Sequence, residues 1–174
     1  LPDSWLRTNV PAPRAEHSAV WTGVEMIIWG GDVSNLDTTA ASWSPATDSW
    51  QTLSTVNMPL ISKWHSTVWT GSELIVWGGY NNGLLNSGGR YNPGNDSWTN
   101  ISTVNAPAPR RLASGVWSGT EMIVWGGDDL QTCFNSGGRY DPVRDIWSTM
   151  TTAGAPQERT YHSTVWTGNE LIIF

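Results

Sequence analysis

Three histidines, four tyrosines and one cysteine are the side chains of this 174-residue chain best suited to bind a metal or attack an electrophile. His17, His65 and His162 stand at one phase of a recurring segment. A ring of imidazoles around a common axis could hold a metal there, but a hydrogen bond repeated at a strand edge explains the recurrence more simply. Cys133 lies beside Phe134 with no histidine close in sequence, which reads as a loop thiol and not a nucleophile. A single cysteine also excludes an internal disulfide and a multi-thiolate zinc site. Asp32, Asp37, Asp128 and Asp129 are candidate calcium ligands, yet they lack the dense oxygen spacing of a calcium loop. Glu25, Glu73, Glu121 and Glu170 recur identically, whereas catalytic carboxylates come as differentiated pairs. They are a structural device, such as a turn acceptor. The nearest approach to a unique acid–base constellation is Arg110 with Asp128 or Asp129. No catalytic residue, metal or cofactor is assigned on these grounds.

The elements that must position these residues repeat. The segments HSAVWTGVEMIIWGG from His17, HSTVWTGSELIVWGG from His65, ASGVWSGTEMIVWGG from Ala113 and HSTVWTGNELIIF from His162 start 48, 48 and 49 residues apart. A second block ends at Trp50, Trp98 and Trp147, and PDSW, ending at Trp5, is the tail of another. Each unit reads as four short strands, a to d. In the second unit these are residues 65–70, 73–79, 87–92 and 97–101, with turns at Thr70-Gly71-Ser72 and Pro93-Gly94-Asn95-Asp96. Leu74, Ile75, Val76 and Trp77 are consecutively apolar, so strand b is expected to be buried on both faces. One four-stranded sheet cannot bury two apolar faces by itself. Sheets standing radially around an axis can, which is the β-propeller arrangement.

The unit resembles the kelch repeat. Gly30-Gly31, Gly78-Gly79 and Gly126-Gly127 close strand b, Tyr91 and Tyr140 follow, and Trp50, Trp98 and Trp147 come some residues later. Trp43 replaces the tyrosine in the first unit. The resemblance implies an all-β, kelch-type β-propeller, of the kind that forms the central domain of galactose-oxidase-like proteins. Its four-stranded antiparallel blades take about 48 residues each. The chain, residues 1–174, is then one propeller domain or part of one. Blades fall at 17–53, 65–101 and 113–149, with a partial blade at 162–174 and a closing strand at 3–7. Three closures are open: a segment of a longer ring, a half-ring completed by a symmetry mate, or an irregular four-blade ring. We expect further blades from a longer chain or a second copy.

Repetition separates scaffold from site. Eleven of the 13 tryptophans are locked to a phase and are expected to pack blades together, although so many indoles also raise the possibility of carbohydrate stacking. The Gly-Gly pairs are expected to permit tight packing and not to cradle phosphate, since no helix follows them. In propellers of this resemblance the d–a and b–c connections share one face around the channel. Here those loops vary: Arg14; Lys63 and Trp64; Arg110 and Arg111; Arg159 and Tyr161; and, between b and c, Asp32 and Asp37; Tyr80, Asn81 and Asn82; Asp128, Asp129, Cys133 and Phe134. Variable loops on a rigid scaffold are where binding resides. The expected ligand-binding set is Arg14, Trp64, Tyr80, Arg110, Arg111, Asp128, Asp129 and Arg159. Arg14, Arg110 and Arg159 share a phase, and pinning the loop is the other reading of those three.

The expected function is a non-enzymatic binding or scaffold module for a protein or glycan partner. The alternative is part of a propeller enzyme acting on sugars, an oxidase or a mutarotase. Oxidase chemistry needs convergent Tyr and His ligands, yet Tyr91 and Tyr140 belong to the repeat pattern. The net charge of −6 argues against non-specific nucleic-acid binding, and no apolar run is long enough to span a membrane. Sparse lysine with abundant Trp, Thr and Ser suits an exported protein of bacterial style, extracellular or periplasmic. Asn95-Asp96-Ser97 and Asn100-Ile101-Ser102 match glycosylation acceptors, a pattern frequent by chance.

Overall fold

A computed structural model describes residues 10–32 and 40–174. The expected strand at 3–7, Trp5 and Asp37 lie outside the described residues. Three sheets each hold four antiparallel strands in chain order. The first contains β1 (Ser18–Trp21), β2 (Met26–Trp29), β3 (Ala41–Ser44) and β4 (Ser49–Thr52). The second contains β5 (Ser66–Trp69), β6 (Leu74–Trp77), β7 (Gly88–Asn92) and β8 (Ser97–Asn100). The third contains β9 (Ser114–Trp117), β10 (Met122–Trp125), β11 (Gly137–Asp141) and β12 (Ile146–Thr149). A hairpin of β13 (Thr164–Trp166) and β14 (Leu171–Ile173) follows. The principal contacts between sheets are β1 with β5, β5 with β9 and β9 with β13. First strands therefore meet around an axis while the later strands radiate outward, as blades of a propeller do.

Strand b shows why the blades stand this way. All four residues of β6 are buried. Leu74 and Val76 join Ile27, Trp29, Tyr91 and Trp98 in the core between blades one and two. Ile75 and Trp77 join Met122, Val124, Tyr140 and Trp147 between blades two and three. Each such side chain contributes about 1.5–3 kcal/mol on leaving water, and alternate residues of one strand serve two cores. The tryptophans of strand b, and Trp98 and Trp147 of strand d, are buried as expected. Those of strand a are less so. Trp21 is 51% exposed on the outer side of blade one, where it lines an open cleft with Val20, Met26 and Trp43.

The a–b turns explain the repeated Thr/Ser-Gly-x-Glu. The hydroxyls of Thr22, Thr70, Ser118 and Thr167 accept the backbone N–H of the glutamate three residues on, at 2.8–3.1 Å. The glycine between sits at φ of +101° to +105°, which side chains rarely adopt. The glutamate is not a side-chain turn acceptor. In the second and third units its carboxylate instead reaches the arginine of strand c, Glu73 to Arg90 at 3.5 Å and Glu121 to Arg139 at 3.9 Å. The c–d turns end on Asp96 and Asp145, also at positive φ. Asp96 Oδ1 accepts both the Tyr91 hydroxyl (2.8 Å) and the Ser54 N–H of the preceding blade (2.8 Å). Asp145 does the same for Tyr140 and Ser102. Burial, reinforced by these aspartates, raises both phenols well above the ordinary tyrosine range. The motif tyrosines are thus committed to joining blades.

Candidate functional site

The face bearing the d–a and b–c loops is built from three recurring devices. The first is a pin. Sixteen residues separate donor and acceptor each time: Arg14 Nη1 to Gly30 O (3.4 Å), Ser62 Oγ to Gly78 O (2.9 Å) and Arg110 Nη1 to Gly126 O (3.0 Å). The second is a blade-to-blade tie. The second glycine of each pair donates its N–H to the d–a loop of the next blade, Gly31 to Ser62 O, Gly79 to Arg110 O and Gly127 to Arg159 O, at 2.9–3.0 Å. No side chain fits here, because a Cβ on Gly79 would meet Lys63 O at 2.6 Å. The third is a bridge between the two loops of one unit, Ala15 with Asp32, Lys63 with Tyr80, and Arg111 with Asp128.

The residue preceding strand a is held at positive φ in every unit: Glu16 at 59°, Trp64 at 59°, Leu112 at 56° and Tyr161 at 54°. Three of these are bulky, and left-handed backbone is costly for such residues unless the surroundings impose it. Ties to the d–a loops at Ser62 O, Arg110 O and Arg159 O lie two residues before Trp64, Leu112 and Tyr161. One acid, one indole, one aliphatic chain and one phenol thereby surround a cavity of about 260 Å³ on the axis, together with His17, His65 and Ser114. Glu16 and Leu112 carry no residue-type signal for this conformation and sequence reasoning missed them as site residues. The phase they share with Trp64 and Tyr161 is the signal that could have found them.

A charged and aromatic chain runs around this mouth across three blades. Asp32 pairs with Lys63, whose Nζ lies 4.6 Å from the centre of the Trp64 ring. The Arg111 guanidinium lies 4.8 Å from the same ring and its Nε donates to Asp128 at 2.9 Å. Tyr80 completes the group with its ring 6.2 Å from that of Trp64. Each cation on the indole contributes about 0.5–2 kcal/mol, depending on how much water it loses. Trp64, Tyr80, Arg111 and Asp128 are therefore brought together.

The other four expected ligand-binding residues bond within their own loops. Arg110 is 2% exposed. Its guanidinium donates to Ala108 O, Gly126 O and Ser136 O and stacks on Phe134 at 4.1 Å. Burial lowers its pKa to about 10. Arg14 and Arg159 repeat the first of these bonds, each Nε donating to the carbonyl two residues earlier. Asp129 turns to its own loop, accepting Gln131 N, Thr132 N and the Thr132 hydroxyl, which hold its carboxyl below the usual range. The pairing considered between Arg110 and Asp128 does not form, because Arg111 takes Asp128.

His65 and His162 join blades. His65 Nδ1 donates to Ser62 O (2.9 Å), and Ser18 Oγ of the preceding blade lies 2.7 Å from Nε2. The Trp29 ring meets the imidazole edge-on at 4.7 Å. His162 has the same relation to Ser114 and Trp125. Burial lowers the His65 pKa to about 4 and that of His162 in the same direction. Both ring nitrogens of His65 are occupied. Among the described residues no three His, Cys, Asp or Glu side chains converge as a metal site.

No curated protein matches this chain. The family model of the KLHDC2/KLHL20/DRC7 Kelch-repeats domain matches residues 4–174, and by that match, with its glycine pairs, tyrosines and tryptophans in the structural roles described above, the chain belongs to the kelch-repeat family.

Proposed function

We propose that this chain is a non-enzymatic binding module that captures a protein segment across the channel mouth, with Trp64, Tyr161, Leu112 and Arg111 as its principal contacts. Kelch-repeat domains are generally protein-binding scaffolds. The observation that carries the reading is the left-handed phase. Four units hold their backbone alike at Glu16, Trp64, Leu112 and Tyr161 and display four different chemistries there. Tyr161 is 78% exposed. Aromatic and arginine side chains dominate the energy of protein interfaces, and rigid loops keep the ordering cost of binding low. Lys63 and Arg111, each paired with an aspartate, leave the mouth mixed in charge, which suits a segment with apolar anchors and few net charges.

Displayed random peptides selected on the immobilised protein test this. Selected peptides should bind Trp64→Ala at least about tenfold more weakly, as expected for an aromatic anchor. Peptides that bind the Trp64→Ala and Tyr161→Ala variants as tightly as the parent would refute it, as would failure to select any.

Two further readings accompany it. The exposed apolar side of blade one, around Trp21 and Trp43, and the exposed Val165 and Ile172 of the terminal hairpin suit further blades of the same design, from the same chain or a second copy. Sparse lysine and abundant Trp, Thr and Ser support an exported location, which fractionation of producing cells would test.

A further inference from the structure

A second cavity lies on the opposite face, among the turns and not the variable loops. It occupies about 620 Å³ between blades two and three, a volume typical of small-ligand sites. Trp117 forms part of its wall while also packing on the core between these blades. The charged lining comes from Glu73, Arg90, Glu121, Asp141 and Arg144.

The charges here are compensated. Glu73 pairs with Arg90, Glu121 with Arg139, and Asp141 with Arg144 (3.2 Å). The lining itself holds three carboxylates and two guanidiniums, and Glu121 finds its partner Arg139 just outside it, so a free ion meets no unpaired charge. What it offers is alternating planar acceptors and donors beside an indole. Arg90 also anchors the far wall through Pro142 O, while its buried Nε has no partner. The groove differs from its counterpart between blades one and two. There Ser42 stands at the phase of Arg90, and Gly94 and Asn95 stand where Val143 and Arg144 rise over the third blade. A repeat position that departs from its counterparts is not explained by what every blade needs.

We propose that this groove binds a neutral saccharide of one or two rings. Its C–H face would lie on Trp117, and its hydroxyls would bond to Glu73, Glu121, Asp141 and Arg144. A free cation or anion is the wrong ligand, because every lining charge already has a partner and breaking a pair exposes the other half. A pyranose chair, with an apolar C–H face and hydroxyls around its rim, can take the outward lone pairs and N–H groups without breaking any pair.

The test is calorimetric titration of the chain with cellobiose, maltose, lactose and N,N′-diacetylchitobiose, with glucuronate and glucosamine as charged controls. At least one neutral sugar should bind with a millimolar or tighter Kd. Glu121→Gln and Arg144→Ala, both at solvent-facing turns, should each weaken it about tenfold, the effect of one lost hydrogen bond to a charged group. Trp117→Phe should weaken it as well, and Trp64→Ala, on the other face, should leave it unchanged. No binding of any neutral sugar, tighter binding of a charged control, or loss of binding in Trp64→Ala with the groove variants unaffected would each overturn the proposal.

Discussion

His65 gives the sharpest quantitative test of how the blades are joined. Its Nδ1–H is donated to Ser62 O, so the neutral ring must accept at Nε2 from the Ser18 hydroxyl, which itself accepts from Thr67. The ring also lies against Trp29 and against Gly30, where an added Cβ would come within 2.6 Å of it. Enclosure of this kind disfavours the charged form and lowers the pKa from 6.5 to about 4. Between those values the unfolded chain binds more protons than the folded one, so stability rises with pH. The His65 contribution is complete above about pH 6.5 and is lost as pH falls towards 4. With these two pKa values, moving from about pH 7.5 to about pH 5 costs about 2 kcal/mol from this group alone. Urea unfolding of the parent and of His65→Gln, followed by tryptophan fluorescence at both pH values, isolates it. Every other ionisable group is common to the two proteins, so its contribution cancels. The parent should lose about 2 kcal/mol more than the variant over that interval. Equal losses in the two proteins would refute the claim that a neutral, half-buried imidazole ties blade two to blade one.

Other perturbations separate scaffold from site. Asp145→Ala removes the acceptor shared by the Tyr140 hydroxyl and Ser102 N–H, and should lower stability by about 1–3 kcal/mol in denaturant titration. Gly79→Ala should be far more damaging than Gly119→Ala in thermal unfolding. Both have positive φ, but only at Gly79 does the new methyl meet backbone and side chain, whereas at Gly119 nothing lies within 4 Å. Arg110→Met should cost about 2 kcal/mol or more, since it orphans the carbonyls of Gly126 and Ser136. Arg111→Met should cost less, because Asp128 keeps the Leu130 N–H when the guanidinium is removed, and should weaken selected peptides.

The repeat period, the burial of strand b on both sides and the structural use of the glycine pairs were all legible in the sequence, because each is an identity recurring at a fixed phase. The division of labour among arginines was not. Arg110 and Arg111 are adjacent and chemically identical, and only the backbone decides that one stacks on Phe134 beneath the surface while the other lies over Trp64 at the mouth. Ser62 hid the same relation, since a serine in the second unit makes the bond to Gly78 that arginine makes elsewhere. The left-handed phase was illegible for a different reason. Trp, Leu and Tyr have no intrinsic tendency to positive φ, so it arises from pairing across loops and blades that no local pattern records. The pairing of the recurrent glutamates with strand-c arginines likewise needed the register, which sets Ile75 opposite Arg90 and Ile123 opposite Arg139.

Amide hydrogen exchange of the chain with and without a selected peptide probes the loop-face reading most directly. Protection should rise in the d–a loops around residues 14–17, 62–65, 110–113 and 159–162, with the a–b and c–d turns unchanged. Protection confined to the turns around residues 70–73, 118–121 and 141–145, with the d–a loops unaltered, would contradict it.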